Sequence, residues 1–187
     1  MEKFSKLGKK KKVKTKNQLL HDLEYMKIYS RSGWVYVEEP DNICVLPIII
    51  EDNQILVRME VIPSFQSRDN QDFHLTCISG TIDGDEKPET CLIRELEEEA
   101  GIRLKENFEF EFFDVLYKSK SQSSKFHLCI LPIHIYEFTE VKADGDGSVI
   151  EKESKTVKVS VDNIDNLFPS DIVTRLLLEE CKKYLDI

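Results

Sequence analysis

Apolar and polar positions along this chain change their period several times, and each change marks an element. Residues 42–50 (NICVLPIII) are apolar almost throughout, as a central strand is. Residues 54–60 (QILVRME) form a second apolar run, and the intervening Glu51, Asp52 and Asn53 predict a hairpin. Residues 74–79, 108–117, 126–138 and 156–161 predict four more strands. Upstream, 17–26 predicts a short helix, and 27–38 two strand pieces folded about Ser32 and Gly33. Residues 64–72, 119–125 and 142–154 are polar and loop-like. Residues 170–185 carry a helical period, with Ser170 or Asp171 as N-cap and Ile172, Leu176, Leu177 and Leu178 inward. Strands, one helix, more strands and a closing helix predict an α+β fold with a mixed sheet and no internal repeat.

The one internal helix lies within residues 80–102, GTIDGDEKPETCLIRELEEEAGI. Pro88 suits its first turn, Glu86 and Glu89 favour the positive end of its dipole, and Gly101 is placed for a left-handed cap. At about 100° per residue, Leu92, Ile93, Leu96 and Ala100 form the expected buried face. Glu95, Glu98 and Glu99 run beside it as an acidic stripe, with Arg94 at its edge and Glu97 toward solvent. Glu95 and Glu99 repel one another at i,i+4, so the stripe calls for a cation. Taken alone, the stripe is either a solvated charged face or a set of hard oxygen ligands of the kind that suit Mg²⁺ or Mn²⁺.

Composition bounds the picture. With 187 residues, one domain is expected over 17–187. Residues 1–16 hold eight Lys and one Glu, a basic tail of net +7 that leaves −16 to the rest of a chain whose total is −9. The tail reads as a solubilising arm, a nuclear-import signal or an RNA tether. So acidic a body argues against a broad nucleic-acid groove, though small phosphorylated substrates stay open, because metal ions invert the local sign. No apolar run approaches a membrane span and no signal peptide is legible, so a cytoplasmic protein is expected, or a nuclear one if the tail is an import signal. The five cysteines are scattered, which fits reduced buried thiols.

Residues 80–102 resemble the Nudix box. Gly80, Glu86, Arg94, Glu95, Leu96, Glu98, Glu99, Gly101 and Ile102 fill its nine specified positions at the required spacing. The resemblance implies a Nudix α/β/α sandwich with the box as loop–helix–loop, and metal-dependent hydrolysis of a nucleoside diphosphate linked to another group. It implies Glu95, Glu99 and the Ser79 carbonyl as ligands of Mg²⁺ or Mn²⁺, with Glu98 as a third ligand or as the carboxylate held by Arg94. A general base often comes from a later loop in this family. The candidates here are Glu151 and Glu153, with Glu140 weaker.

The flanks resemble the ADP-ribose and ADP-sugar branch through CVLPIII, ILVRMEV, SGTIDGDEKPE and the pattern Asp171 to Thr174. Arg58, Gly80, Trp34, Tyr36 and Lys118 are then expected at the substrate, the two aromatic residues against its base. The chain departs from that branch in three places. Thr76 to Gly80 replace an E-x-P-x-G entry, Val61 stands where a second strand arginine is usual, and Ser119-Lys120-Ser121 replace S-P-G. Three functions stay open: a pyrophosphohydrolase of a small nucleotide conjugate, a hydrolase of RNA ends, dinucleoside polyphosphates or nucleoside triphosphates, and a nucleotide sensor without turnover. A homodimer through the N-terminal strands is expected by analogy.

Overall fold

The computed structural model describes residues 16–67, 71–105, 108, 110–145 and 152–187. All of the lysine-rich tail except Lys16, and Glu151, lie outside the described residues.

The N-terminal unit is a three-stranded antiparallel sheet of β1 (Gln18–Asp22), β2 (Lys27–Arg31) and β3 (Trp34–Glu38). Ser32 and Gly33 both take positive φ, 53° and 80°, as a tight hairpin turn requires. In place of the helix expected over 17–26 stand the strand β1 and the turn that leads into β2. So short a segment does not nucleate a helix alone, and the edge of β2 satisfies its backbone.

The main sheet runs β12-β5-β4-β10-β9, with two short strands, β6 and β7, paired beside it. Its strands are β4 (Asn42–Ile49), β5 (Gln54–Glu60), β6 (His74–Thr76), β7 (Ile78–Thr81), β9 (Asp114–Tyr117), β10 (Lys125–Ile133) and β12 (Lys155–Ser160). β4 lies parallel to β10 and antiparallel to β5 and β7, so the sheet is mixed. Its alternation explains the apolar run. Ile43, Val45 and Ile49 face the helix α2 (Pro88–Glu98), whereas Cys44, Leu46 and Ile48 face the helix α3 (Ile172–Leu185). Each such Ile or Leu contributes about 1.5–3 kcal/mol on full burial. The result is the expected α/β/α sandwich. No helix among the described residues is long and apolar enough to cross a membrane.

Several boundaries move for identifiable reasons. The strand expected at 74–79 breaks at Cys77, because β6 pairs with β5 and β7 with β4. The freed Cys77 N–H donates instead to Thr174 Oγ1 at 2.8 Å. Residues 126–138 turn at His134, whose N–H donates to Glu137 Oε2, and the chain leaves the sheet as β11 (Phe138–Glu140) to pair with β8 (Ile102–Leu104). Among the described residues of 108–117 the last four pair as a strand, while Phe108, Phe110 and Phe112 pack against the α2-side core. A short helix, α1 (Pro63–Gln66), stands at the start of the expected 64–72 loop.

Helix faces are also rotated from expectation. Ile93 is 45% exposed, and the buried residues of α2 are Cys91, Leu92, Glu95 and Leu96. The carboxylate of Glu95 thus lies in the buried stripe itself. On α3, Ile172 is 80% exposed and the stripe is Thr174, Leu177, Leu178 and Cys181, with Leu176 half-buried.

Candidate active site

Three local features build the site. Pro88 opens α2 behind Lys87, and Gly101 at φ 66° closes the turn after it. β7 runs under the helix, and Gly80 leaves room for it: a Cβ there would lie 2.0 Å from Glu95 Oε1. Third, donors from beyond β8 take the carbonyls at the helix end. Gly145 N–H bonds the Glu98 carbonyl at 3.0 Å and Val141 N–H that of Gly101 at 2.8 Å.

Arg94 organises one side of this end. Its Nη1 meets Glu95 Oε1 at 2.6 Å and Glu98 Oε2 at 3.0 Å. Nε and Nη2 grip both oxygens of Glu86 at 3.3 Å, and Nη2 also donates to the Thr81 carbonyl at 3.1 Å. Glu86 foremost, against the opposing effect of burial, raises the guanidinium pKa above its usual range. The same contact lowers that of Glu86.

Glu99 occupies the other side and is 5% exposed. Burial pushes its carboxyl up to about 8, although Arg58 pulls the other way, and Glu60 and Glu95 add to the rise. Its oxygens meet Ser79 N–H and Arg58 Nη2, each at 3.3 Å. Its backbone carbonyl accepts from Thr156 Oγ1 at 2.6 Å and from Arg58 Nη1 at 3.4 Å. Thr156 and Arg58 are register partners on β12 and β5, so the two strands hold this carbonyl together.

Two cavities meet at Glu98. One, of about 370 Å³, is lined by Asn42, Ser79, Gly80, Arg94, Glu95 and Glu98. The other, of about 670 Å³, runs past Glu98, Glu99 and Arg58 to Thr156 and Lys155.

A family model of the NUDIX domain matches residues 40–178. The chain belongs to the Nudix family. A solved structure described as an ADP compounds hydrolase is similar in fold, with a TM-score of 0.69 over 91% of this chain and 92% of that one at 17% identity. No curated protein matches the sequence.

In this Nudix hydrolase the box residues converge, whereas several expected substrate contacts do not. Arg58 is 4% exposed, and its guanidinium holds Glu60 at 3.0 Å as well as Glu99, so it supports a carboxylate at the wall of the larger cavity. Trp34 is 57% exposed and Tyr36 stacks on Tyr29 at 5.4 Å; both belong to the N-terminal sheet and line neither cavity. Lys118 bonds Glu39 at 3.0 Å and Asn42 at 2.5 Å, at the edge of the carboxylate groove. Glu153 is exposed and stands between Lys152 and Ser154, which line the larger cavity. Glu140 pairs with Lys158 at 2.8 Å. Sequence reasoning missed Thr156 and the supporting role of Arg58. A buried arginine in an apolar strand was the available signal for the latter.

Among the described residues no three His, Cys, Asp or Glu side chains close around a point as a finished metal site. Instead Arg94 and Arg58 supply the positive charge that the acidic stripe calls for. The donor set nevertheless suits a hard cation. Glu95 and Glu98 border an open polar groove, and Glu99, which faces the adjoining cavity beside them, is buried at a cost its single arginine does not cancel.

Proposed function

We propose that this Nudix hydrolase is a metal-dependent pyrophosphohydrolase that cleaves the diphosphate of a nucleoside diphosphate joined to another group, with ADP-ribose or an ADP-sugar as the favoured substrate. The observation that carries this reading is the placing of Glu95 and Glu98 on an open groove with the buried Glu99 next to them on the adjoining cavity. A fold neighbour described as acting on ADP compounds supports the ADP-linked substrate.

Glu95, Glu98 and Glu99 would hold Mg²⁺ or Mn²⁺, together with the Ser79 carbonyl. When bound, such ions neutralise the diphosphate and lower the pKa of the attacking water. Arg94 holds Glu95 and Glu98 at the groove and trims their mutual repulsion. Glu98 is the most exposed of the three carboxylates and takes the proton from water. Water adds across the P–O–P bridge: one phosphorus–oxygen bond forms, one breaks, and the leaving phosphate keeps the bridging oxygen. Ser79 N–H and Arg58 keep Glu99 in place during this step. Exposed Leu19, Leu20 and Val35 on the N-terminal sheet support its use as a homodimer face.

The test is a panel of ADP-ribose, ADP- and UDP-sugars, dinucleoside polyphosphates, nucleoside triphosphates and capped RNA, with Mg²⁺ and with Mn²⁺. Release of AMP from ADP-ribose, abolished in Glu99→Gln, is expected. Preference for capped RNA or triphosphates would replace the substrate class. Tight binding without turnover would make the protein a sensor.

A further inference from the structure

We propose that Asn42 donates to a non-bridging oxygen of the substrate's diphosphate, and that Lys118 is the positioning residue that aims it. This rests on the pyrophosphohydrolase reading above and adds the side chain that meets the phosphate directly. Asn42 opens β4 and lines the carboxylate groove beside Ser79, Gly80 and Glu95.

The groove is short of donors for an anion. Its charged walls are Asp83, Glu95, Glu98 and Arg94. A guanidinium has five N–H groups, and Arg94 has an acceptor for each: Glu86 on Nε, Glu95 and Glu98 on Nη1, and Glu86 and the Thr81 carbonyl on Nη2. Lys118 is equally committed. Its ammonium donates to Asn42 Oδ1 at 2.5 Å, Glu39 Oε1 at 3.0 Å and the Pro40 carbonyl at 3.4 Å, which uses all its N–H groups. Neither cation has a donor left for phosphate. The Asn42 amide does. Its Nδ2 carries a pair of N–H groups and makes one long contact among the described residues, 3.4 Å to Thr81 Oγ1 on the paired strand β7.

Lys118 decides which way this amide faces. An ammonium only donates, so the atom it touches is the carbonyl oxygen, and the NH2 is turned toward Thr81, which also lines the groove. An aspartate at this position would pair more strongly with Lys118. It would also add a further carboxylate to a wall that has to accept a diphosphate. Asparagine instead takes up the ammonium with its oxygen and presents a neutral donor on its other side. A phosphate oxygen only accepts, and the ammonium behind the amide polarises it and strengthens the bond it donates.

Calorimetry on the full chain with α,β-methylene ADP and Mg²⁺, a diphosphate that cannot be cleaved at its bridge, tests this without turnover. Asn42→Asp keeps the shape and the Lys118 contact but removes the donor. The analogue should bind it at least about tenfold more weakly, with a melting temperature no lower than that of wild type. Lys118→Met should weaken binding about threefold to tenfold, yet less than about twofold when residue 42 is already alanine, because a residue acting through Asn42 then has nothing to aim. In turnover, Asn42→Asp and Lys118→Met should both raise KM more than they lower kcat. Unchanged affinity in Asn42→Asp, a Lys118→Met effect undiminished in the Asn42→Ala background, or no binding of the analogue by wild type would overturn the proposal. Hydrolysis of ADP-ribose with a wild-type KM in Asn42→Asp would sink the contact and leave the reaction standing. Affinity lost in Asn42→Asp, beside a wild type that hydrolyses nothing on the panel, would do the reverse.

Discussion

Gly80 and Glu95 occupy one space: a methyl group on Gly80 would sit 2.0 Å from the Glu95 carboxylate. The box glycine is therefore a packing residue for a box glutamate. Gly80→Ala must expel the Glu95 side chain from its place beside Arg94 or push β7 away from α2. We expect a loss of about 1–3 kcal/mol of stability, typical of overpacking, and a fall in kcat of roughly a hundredfold. Chemical denaturation and steady-state kinetics on the same preparation check both.

Arg94 reaches Glu86, Glu95, Glu98 and the Thr81 carbonyl with a planar fork. Lysine keeps the charge and loses the fork. Arg94→Lys should therefore keep the fold while kcat drops about tenfold or more, and Arg94→Ala should lose more. Equal activity in the Lys variant would make the arginine a point charge only.

Glu39 ties the approach to β4 to the loop between β9 and β10, accepting from Lys118, Ser124 and Gln122. Burial raises its pKa, but these bonds together outweigh burial and leave it below the usual range. A depressed carboxylate stabilises above its unfolded pKa and loses that contribution as pH falls through the folded value. Glu39→Gln should cost about 1 kcal/mol near neutral pH, with the gap to wild type closing in acid. Thermal melts across pH 3–8, on the order of one per pH unit, check the sign.

Thr174 Oγ1 takes the Cys77 N–H at the break between β6 and β7. Thr174→Val leaves that buried donor unpaired, at a cost of about 1–3 kcal/mol. Thr174→Ser should recover most of it. Urea midpoints of the two variants decide this.

Divalent cations should stabilise the folded chain through the carboxylate end of α2. At a hundredfold excess over its dissociation constant, an ion adds about 2.7 kcal/mol. Mg²⁺ or Mn²⁺ should raise the melting temperature of wild type and do so far less in Glu95→Gln and Glu99→Gln. An equal rise in all three would place the ion elsewhere.

Much of this protein was determined by its sequence alone. The apolar runs of β4 and β5, the Ser32-Gly33 turn, the caps of α2 and the spacing of Arg94, Glu95, Glu98 and Glu99 are local facts, because helix and strand periods dictate which neighbours share a face. Tertiary structure decided the rest. Whether residues 17–26 became helix or strand depended on the edge of β2, and the rotation of α2 that buried Glu95 depended on Gly80 beneath it. That Arg58 turned inward to Glu99 followed from β5 facing α2 at that register. Asp171 and Thr174 looked like a motif, but Asp171 caps its own helix and the work of Thr174 lies in a contact made across the fold, to the β6–β7 break. Such partners stand nearly a hundred residues apart in the chain, 97 between Cys77 and Thr174, and no local period encodes a contact that only packing of the sheet brings together.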